Sequence, residues 1–254
     1  MAHAPRLAVT MLTGLLGLAS PAPEARAASL SVNPTKVQLS KQQPSMLLTL
    51  RNEGTTATRL QVTAHKWNQS LTGEMELQPT TDLVFFPSLM VLEPGQSRSV
   101  RIGTTTPFTA SERSYRIFVE ELPPPDNKSG QASAVRMYTR LGIPVFLQPD
   151  HAEPRPGLAG VAVADGALTF RITNAGTQHF VPTSVVVRGL AGNGEPALEE
   201  RLNSWYVLAG GAREFTVPLD SPECSRIRSL VVEAQVDERV LREQLATPHG
   251  TCRP

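Results

Sequence analysis

Val135-Arg136-Met137-Tyr138-Thr139-Arg140-Leu141-Gly142-Ile143-Pro144-Val145-Phe146 is the stretch on which the reading of this chain turns. Val135, Met137, Thr139, Leu141 and Ile143 share one face of an extended segment. Arg136, Tyr138, Arg140 and Gly142 share the other, a period of two that marks a β-strand. The segment follows a loop rich in Pro, Gly and Ser and ends at Pro149, where the chain passes into a second domain. A strand in that place is either an ordinary buried strand of a sandwich or an edge strand. A long edge with an apolar stripe is an aggregation hazard unless it serves to pair with another chain.

Composition extends the β reading to the whole chain. With 22 prolines, 5% aromatic and 40% hydrophobic residues in 254, short strands joined by many turns are favoured over a helical bundle. A net charge of +1, with no long run of Lys or Arg, argues against a general nucleic-acid binder. Residues 1–27 read as a cleaved export signal: Arg6 gives the positive start, Leu7 to Leu18 the apolar run, and Ala25-Arg26-Ala27 the small-x-small cleavage site. That run is too short to span a bilayer, and no later stretch approaches ~20 apolar residues, so no membrane insertion is expected. Export to an oxidising compartment makes Cys224–Cys252 the expected disulfide. On the chain-entropy model such a bridge stabilises the C-terminal half by roughly 3 kcal/mol. A metal or redox pair is the alternative, but neither a CxxC nor a neighbouring His supports it.

The chain also repeats itself weakly. Leu48-x-Leu50-x-Asn52-x-Gly54 is matched by Phe170-x-Ile172-x-Asn174-x-Gly176, each an alternating strand ending in a turn where Gly is expected to supply a positive φ. Leu92-Glu93-Pro94-Gly95 is similarly echoed by Leu208-Ala209-Gly210-Gly211. Two sandwich domains follow, residues 28–149 and 150–254, with strands of the first expected near 29–39, 45–51, 58–66, 83–86, 97–103, 114–121 and 134–147. In the opening strand the inward parity changes between Leu30/Val32 and Val37/Leu39, which predicts a kink or a switch of sheet at Asn33-Pro34. The linker 150–157 carries Pro154 and Pro156 and is expected to be a fixed elbow.

No catalytic constellation stands out, so the chain is read as no enzyme, with no metal site and no cofactor. Beyond the export signal the histidines His65, His151, His179 and His249 are scattered, and the common nucleotide, hydrolase and zinc motifs do not occur. Glu120 and Glu121 point to opposite faces of a strand and cannot converge on one bond. Lys36, Glu112, Arg113 and Arg116 are the charges of interest, because a cation in a cleft between domains suits a carboxylate, especially a chain terminus. Each could equally be a solvated edge charge with its stem along the sheet. Trp67 and Trp205 read as core or near-core aromatics rather than a sugar-binding platform.

Together these stretches resemble the periplasmic pilus-assembly chaperones of the chaperone–usher pathway. The matching residues are Asn33-Pro34-Thr35-Lys36-Val37, Leu48-Thr49-Leu50-Arg51-Asn52-Glu53-Gly54, Leu92-Glu93-Pro94-Gly95-Gln96-Ser97, Tyr115 through Pro124, and Leu141-Gly142-Ile143-Pro144-Val145-Phe146. The resemblance implies two immunoglobulin-like β-sandwiches in an L-shaped arrangement. It also implies a G1 edge strand, here 134–147, that fills the groove of a pilus subunit lacking its final strand until an outer-membrane usher takes the subunit over. Val135, Met137, Thr139, Leu141 and Ile143 occupy the donor positions. Well-studied members anchor the terminal carboxylate of the subunit with an Arg on the first strand and a Lys on G1. Here those positions hold Lys36 and Pro144, and the run Gly-Ile-Pro-Val-Phe is similar to the archaic branch of Csu and spore-coat-U-like pili. Arg116, and after it Arg113, are the candidate replacement anchors, and Glu112 falls where the family often has a structural acid near the domain junction.

The function implied is therefore a periplasmic chaperone that caps pilus subunits, with self-association through G1 open to the free protein. The alternative is a secreted two-domain adhesion or carbohydrate-binding module, which would present its binding residues on loops.

Overall fold

A computed structural model describes residues 30–123, 137–219 and 222–247. The export signal, Val135 and Cys252 lie outside the described residues. Strands β1 (Leu30–Asn33), β2 (Val37–Leu39), β3 (Ser45–Asn52), β4 (Thr58–Gln69), β5 (Met75–Pro79), β6 (Leu83–Phe86), β7 (Leu89–Leu92), β8 (Ser97–Thr104), β9 (Arg113–Leu122) and β10 (Arg140–Leu147) build a first sandwich. One sheet runs β1-β3-β8-β6, and the other β2-β10-β9-β4-β5 with β7 also on β4. Strands β11 (Pro156–Ala164), β12 (Ala167–Asn174), β13 (Ser184–Ala191), β14 (Pro196–Leu202), β15 (Ala212–Pro218), β16 (Ile227–Val236) and β17 (Arg239–Ala246) build a second, from sheets β11-β12-β15 and β14-β13-β16-β17.

Alternation drives both. In β4, Leu60, Val62 and Ala64 face the first core with Leu48 and Leu50 of β3 and Ile117 and Val119 of β9. Phe170, Ile172, Val185, Val187, Leu230 and Val232 do the same in the second. Burying each large aliphatic side chain contributes about 1.5–3 kcal/mol. The parity change in the opening strand is a change of sheet: β1 pairs antiparallel with β3, and three residues later β2 pairs parallel with β10. Leu30 and Val32 pack from one sheet and Val37 and Leu39 from the other, so all four serve one core.

The repeat proves to be a clamp rather than a glycine turn. Asn52 and Asn174 are buried. Asn52 Nδ2 donates to the carbonyls of Thr56 (2.7 Å) and Leu92 (3.0 Å), and its Oδ1 accepts from Gly54 N. Asn174 Nδ2 donates to the carbonyls of Gln178, Val207 and Leu208, and its Oδ1 accepts from Gly176 N and Arg155 N. The expected positive φ is not at Gly54 or Gly176. It falls in the second half of the repeat, at Gly95 (73°) and Gly210 (68°). Gly176 is needed for a different reason: a Cβ there would lie 2.2 Å from the Glu153 carbonyl.

That close approach fixes the elbow. Thr177 N donates to Glu153 O and Ala175 N to Arg155 O, while Thr177 Oγ1 donates to His151 O. Lys41 pairs with Asp150 at the other end of the linker. The residues 151–155 are thus zipped to the turn after β12, which leaves little freedom between the sandwiches.

Candidate functional site

The stretch that opened the sequence reading splits in two. Its second half is β10, paired with β9 along Arg140–Leu147 but with β2 only along Val145–Leu147. Among the described residues nothing pairs with the other side of Arg140–Pro144. The strand begins at Arg140 and not at 134. Continuing the register would set Met137 against Pro123, and proline has no N–H to carry a ladder onward. Only Thr139 is still tied, its carbonyl accepting from Glu121 N. Met137 stands 69% exposed, beside an exposed Tyr138.

The two faces of β10 have different destinations. Ile143, Val145 and Leu147 belong to the first core, with Leu141 half-buried against it. At 2% exposure Ile143 fills its own sandwich, which corrects its place in the expected donor set. Thr139 and Leu141 remain accessible at the open edge, and Met137 lies just beyond it.

The opposite face carries the junction between the sandwiches. Phe146 and Trp67, on β10 and β4, form a separate small core with Leu208 of the second sandwich, joined by Leu77 and Tyr206. Trp67 is therefore a core residue of the junction and not of either sandwich. His179 stacks on Phe146 with ring centroids 3.7 Å apart, and its Nδ1 sits 2.7 Å from Glu112 Oε1. Glu112 Oε1 also accepts from His179 N, and Glu112 N donates to Thr177 O. Glu112 thus ties the start of β9 to the second sandwich, as a junction acid would. Further out, Glu214 N donates to Leu71 O, and the Arg213 guanidinium lies against Gly73, where a Cβ would be 2.5 Å from its Nε.

Arg116 is the centre of this face. It is 5% exposed, and its Nη1 donates to Gly142 O (3.1 Å) on the half-open strand. Its guanidinium lies 4.1 Å from the Trp67 ring, 5.6 Å from Trp205 and 5.8 Å from Tyr206. Nε and Nη2 have no hydrogen-bond partner among the described residues. Burial pushes its pKa below the usual arginine value, with a smaller opposing effect from Tyr206. Such a group gains strongly from a carboxylate.

Register places a second cation near it. Arg116 is opposite Pro144, and Val37 opposite Val145 in the parallel pair, so exposed Lys36, just before β2, falls beside Pro144 on its other side. Lys36 and Arg116 therefore flank β10 from its two neighbouring strands, about 10 Å apart at ~4.8 Å per strand. Arg113 is not with them. It has the opposite parity on β9 and is committed to the loop before it, donating to Thr106 Oγ1 (2.8 Å) and to Pro107 O.

Residues 29–153 match the family described as "Pili and flagellar-assembly chaperone, PapD N-terminal domain". This N-terminal domain belongs to that chaperone family. Its members are folding and assembly factors, not enzymes. No curated protein sequence gives a significant match. Among solved structures, the chaperone resembles the pre-assembly complex of CsuC with the tip adhesion protein CsuE, from archaic chaperone–usher Csu pili of Acinetobacter baumannii, at 17% identity and TM-score 0.55, covering 75% of this chain and 91% of that one. It is equally similar to the Escherichia coli chaperone DraB, at 19% identity and TM-score 0.55 over 88% and 97% of the two chains. Salmonella enterica SafA pilin in complex with the SafB chaperone matches at 15% identity and TM-score 0.53, over 87% and 98%. These likenesses establish the fold as the two-sandwich, immunoglobulin-like one.

Of the cations read from the sequence, the chaperone brings Arg116 and Lys36 to one face and sets Arg113 apart. Trp205 differs from its sequence reading: it is 42% exposed and lies over Arg116 instead of in a core. Tyr206 and His179 carry no mark of the site in the sequence. Both lie in irregular sequence, His179 after β12 and Tyr206 after β14, which does not reveal what packs there. Cys224 is buried in the middle of the 3-10 turn Pro222–Arg226 that precedes β16, and its pairing with Cys252 stays an expectation because Cys252 is outside the described residues.

Proposed function

We propose that this chaperone works in the periplasm, where the open side of β10 lends a strand to pilus subunits that lack their last one and presents them to an outer-membrane usher. In this reading residues 28–149 form the strand-lending domain and residues 150–254 the second. The unpaired half-edge Arg140–Pro144 carries the proposal. Free N–H and C=O groups along an edge bind an extended chain by strand addition, and alternate side chains then enter its groove. Met137, Thr139 and Leu141 are the donor side chains, with Val135 continuing the parity. The holding of a pilin by SafB and of a tip adhesion protein by CsuC, named in those complexes, is the activity carried over here.

The terminal carboxylate of the subunit docks against Arg116, with Lys36 assisting from β2. Pro144 stands where the better-known relatives place a lysine, and cations on both sides of β10 take over the role in this reading. A charge-assisted bond at this point fixes the register of the added strand, since a slip of one residue would turn every apolar side chain away. The test is co-purification from the periplasm with a pilus subunit whose gene adjoins that of the chaperone. Arg116→Ala with Lys36→Ala is expected to cut the captured pilin at least tenfold with the chaperone still folded. Unchanged capture by the double variant overturns the anchor.

A further inference from the structure

Arg116 is shut in as well as unpaired. Its Nε and Nη2 are closed to solvent, so a carboxylate reaches them only if one of the surrounding rings moves. Trp67, 1% exposed, is part of the junction core and cannot leave without opening it. Tyr206 is wedged against Trp67, Phe146 and His179, and its carbonyl accepts a bond from Gln69 Nε2 (2.9 Å). Trp205 is held differently. It is half in solvent, lies in the irregular stretch between β14 and the Val207 bridge, and meets the Tyr206 ring edge-on at 5.4 Å.

We propose that Trp205 is the movable cover of the Arg116 guanidinium and determines which terminal residue the chaperone accepts. An incoming chain terminus displaces the indole, its carboxylate takes Nε and Nη2, and the freed indole face packs against the side chain that bears the carboxylate. The chain favoured is one ending in an aromatic residue. An aromatic pair of this kind strengthens binding by roughly two- to tenfold over a terminus with no side chain. The second sandwich thereby contributes to recognition, although the strand and the cations come from the first. This inference rests on the anchoring of a terminal carboxylate proposed above.

The test uses the mature chaperone and a labelled peptide of alternating apolar residues, ending in Tyr or Gly, each as free acid and as amide. Binding is followed by fluorescence anisotropy. In the wild type, acids are expected to bind at least tenfold tighter than amides, and the Tyr acid about fivefold tighter than the Gly acid. Trp205→Phe should keep the Tyr preference, whereas Trp205→Leu and Trp205→Ala should lose it while still preferring acids. An undiminished Tyr preference in the Leu or Ala variant, with acids still favoured, overturns the role of Trp205 and leaves the anchor standing. Equal binding of acids and amides overturns the anchor itself, and this inference with it. The Phe and Leu pair decides the matter even if the Ala variant fails to fold.

Discussion

The two sandwiches share a clamp but treat their edges in opposite ways. In the second, the outer strands β14 and β17 are studded with charge, and the pairs are closed: Arg188 bridges Glu199 and Glu233, Arg242 reaches Glu233, and Arg201 reaches Glu199. Charged side chains on an edge oppose the addition of a further strand. In the first, β10 leaves Arg140–Pro144 unpaired among the described residues and is led in by exposed Met137 and Tyr138. One sandwich covers its outer strands with paired charges and the other leaves half an edge open, on closely similar frameworks. The difference is what supports the proposal of β10 as the working edge.

The largest expected effect breaks this contrast at one residue. Met137→Asp puts a carboxylate where an apolar groove must close over it, so pilin capture should fall more than tenfold with no change in melting temperature, Met137 being exposed in the free chaperone. Val240→Asp, at an exposed apolar site on β17, should leave capture and stability as they are. Pull-down yield beside thermal melts measures both, and equal losses would show that the edges are not distinguished as argued. Leu141→Asp should lower capture and stability together, because Leu141 also packs on the first core.

The shared clamp offers a finer comparison. Asn52→Ala removes hydrogen bonds to two carbonyls and one N–H, and Asn174→Ala removes hydrogen bonds to three carbonyls and two N–H groups, one of them from the elbow. Urea denaturation should show losses of about 2 kcal/mol for the first and about 3 kcal/mol for the second. A larger loss at Asn52 would mean that the elbow gains nothing from its bond to Asn174.

The smallest effect is a difference in alkaline tolerance. Burial, together with its 2.8 Å hydrogen bond to Asp82, pushes the Tyr115 phenol well above its ordinary value. A raised pKa means that the fold favours the neutral phenol. The stability this contributes is complete below about pH 10, the unfolded value, and is lost as pH rises beyond it. The second sandwich has no tyrosine in its interior among the described residues, Tyr206 lying at the junction. Melts between pH 9 and 11 should therefore show the first sandwich weakening, and Tyr115→Phe should flatten that decline.

What the amino-acid order determined by itself was local. Alternation placed the cores of β3, β4, β9 and β12, and the parity change at Asn33-Pro34 revealed a strand that changes sheets, because a period of two is written directly in neighbouring residues. The short strands β5 and β7 escaped notice, since exposed and buried positions are too few there to show a period. Arg116 was legible as a cation out of place in an apolar strand. Its surroundings were not. Trp67 comes from β4, Gly142 from β10, and Trp205 and Tyr206 from beyond β14, and only the docking of the two sandwiches brings them together. The division of β10 into a core half and an open half was likewise decided by tertiary structure: β2 is three residues long, and a strand's pattern says which face is apolar but not how far its neighbour extends.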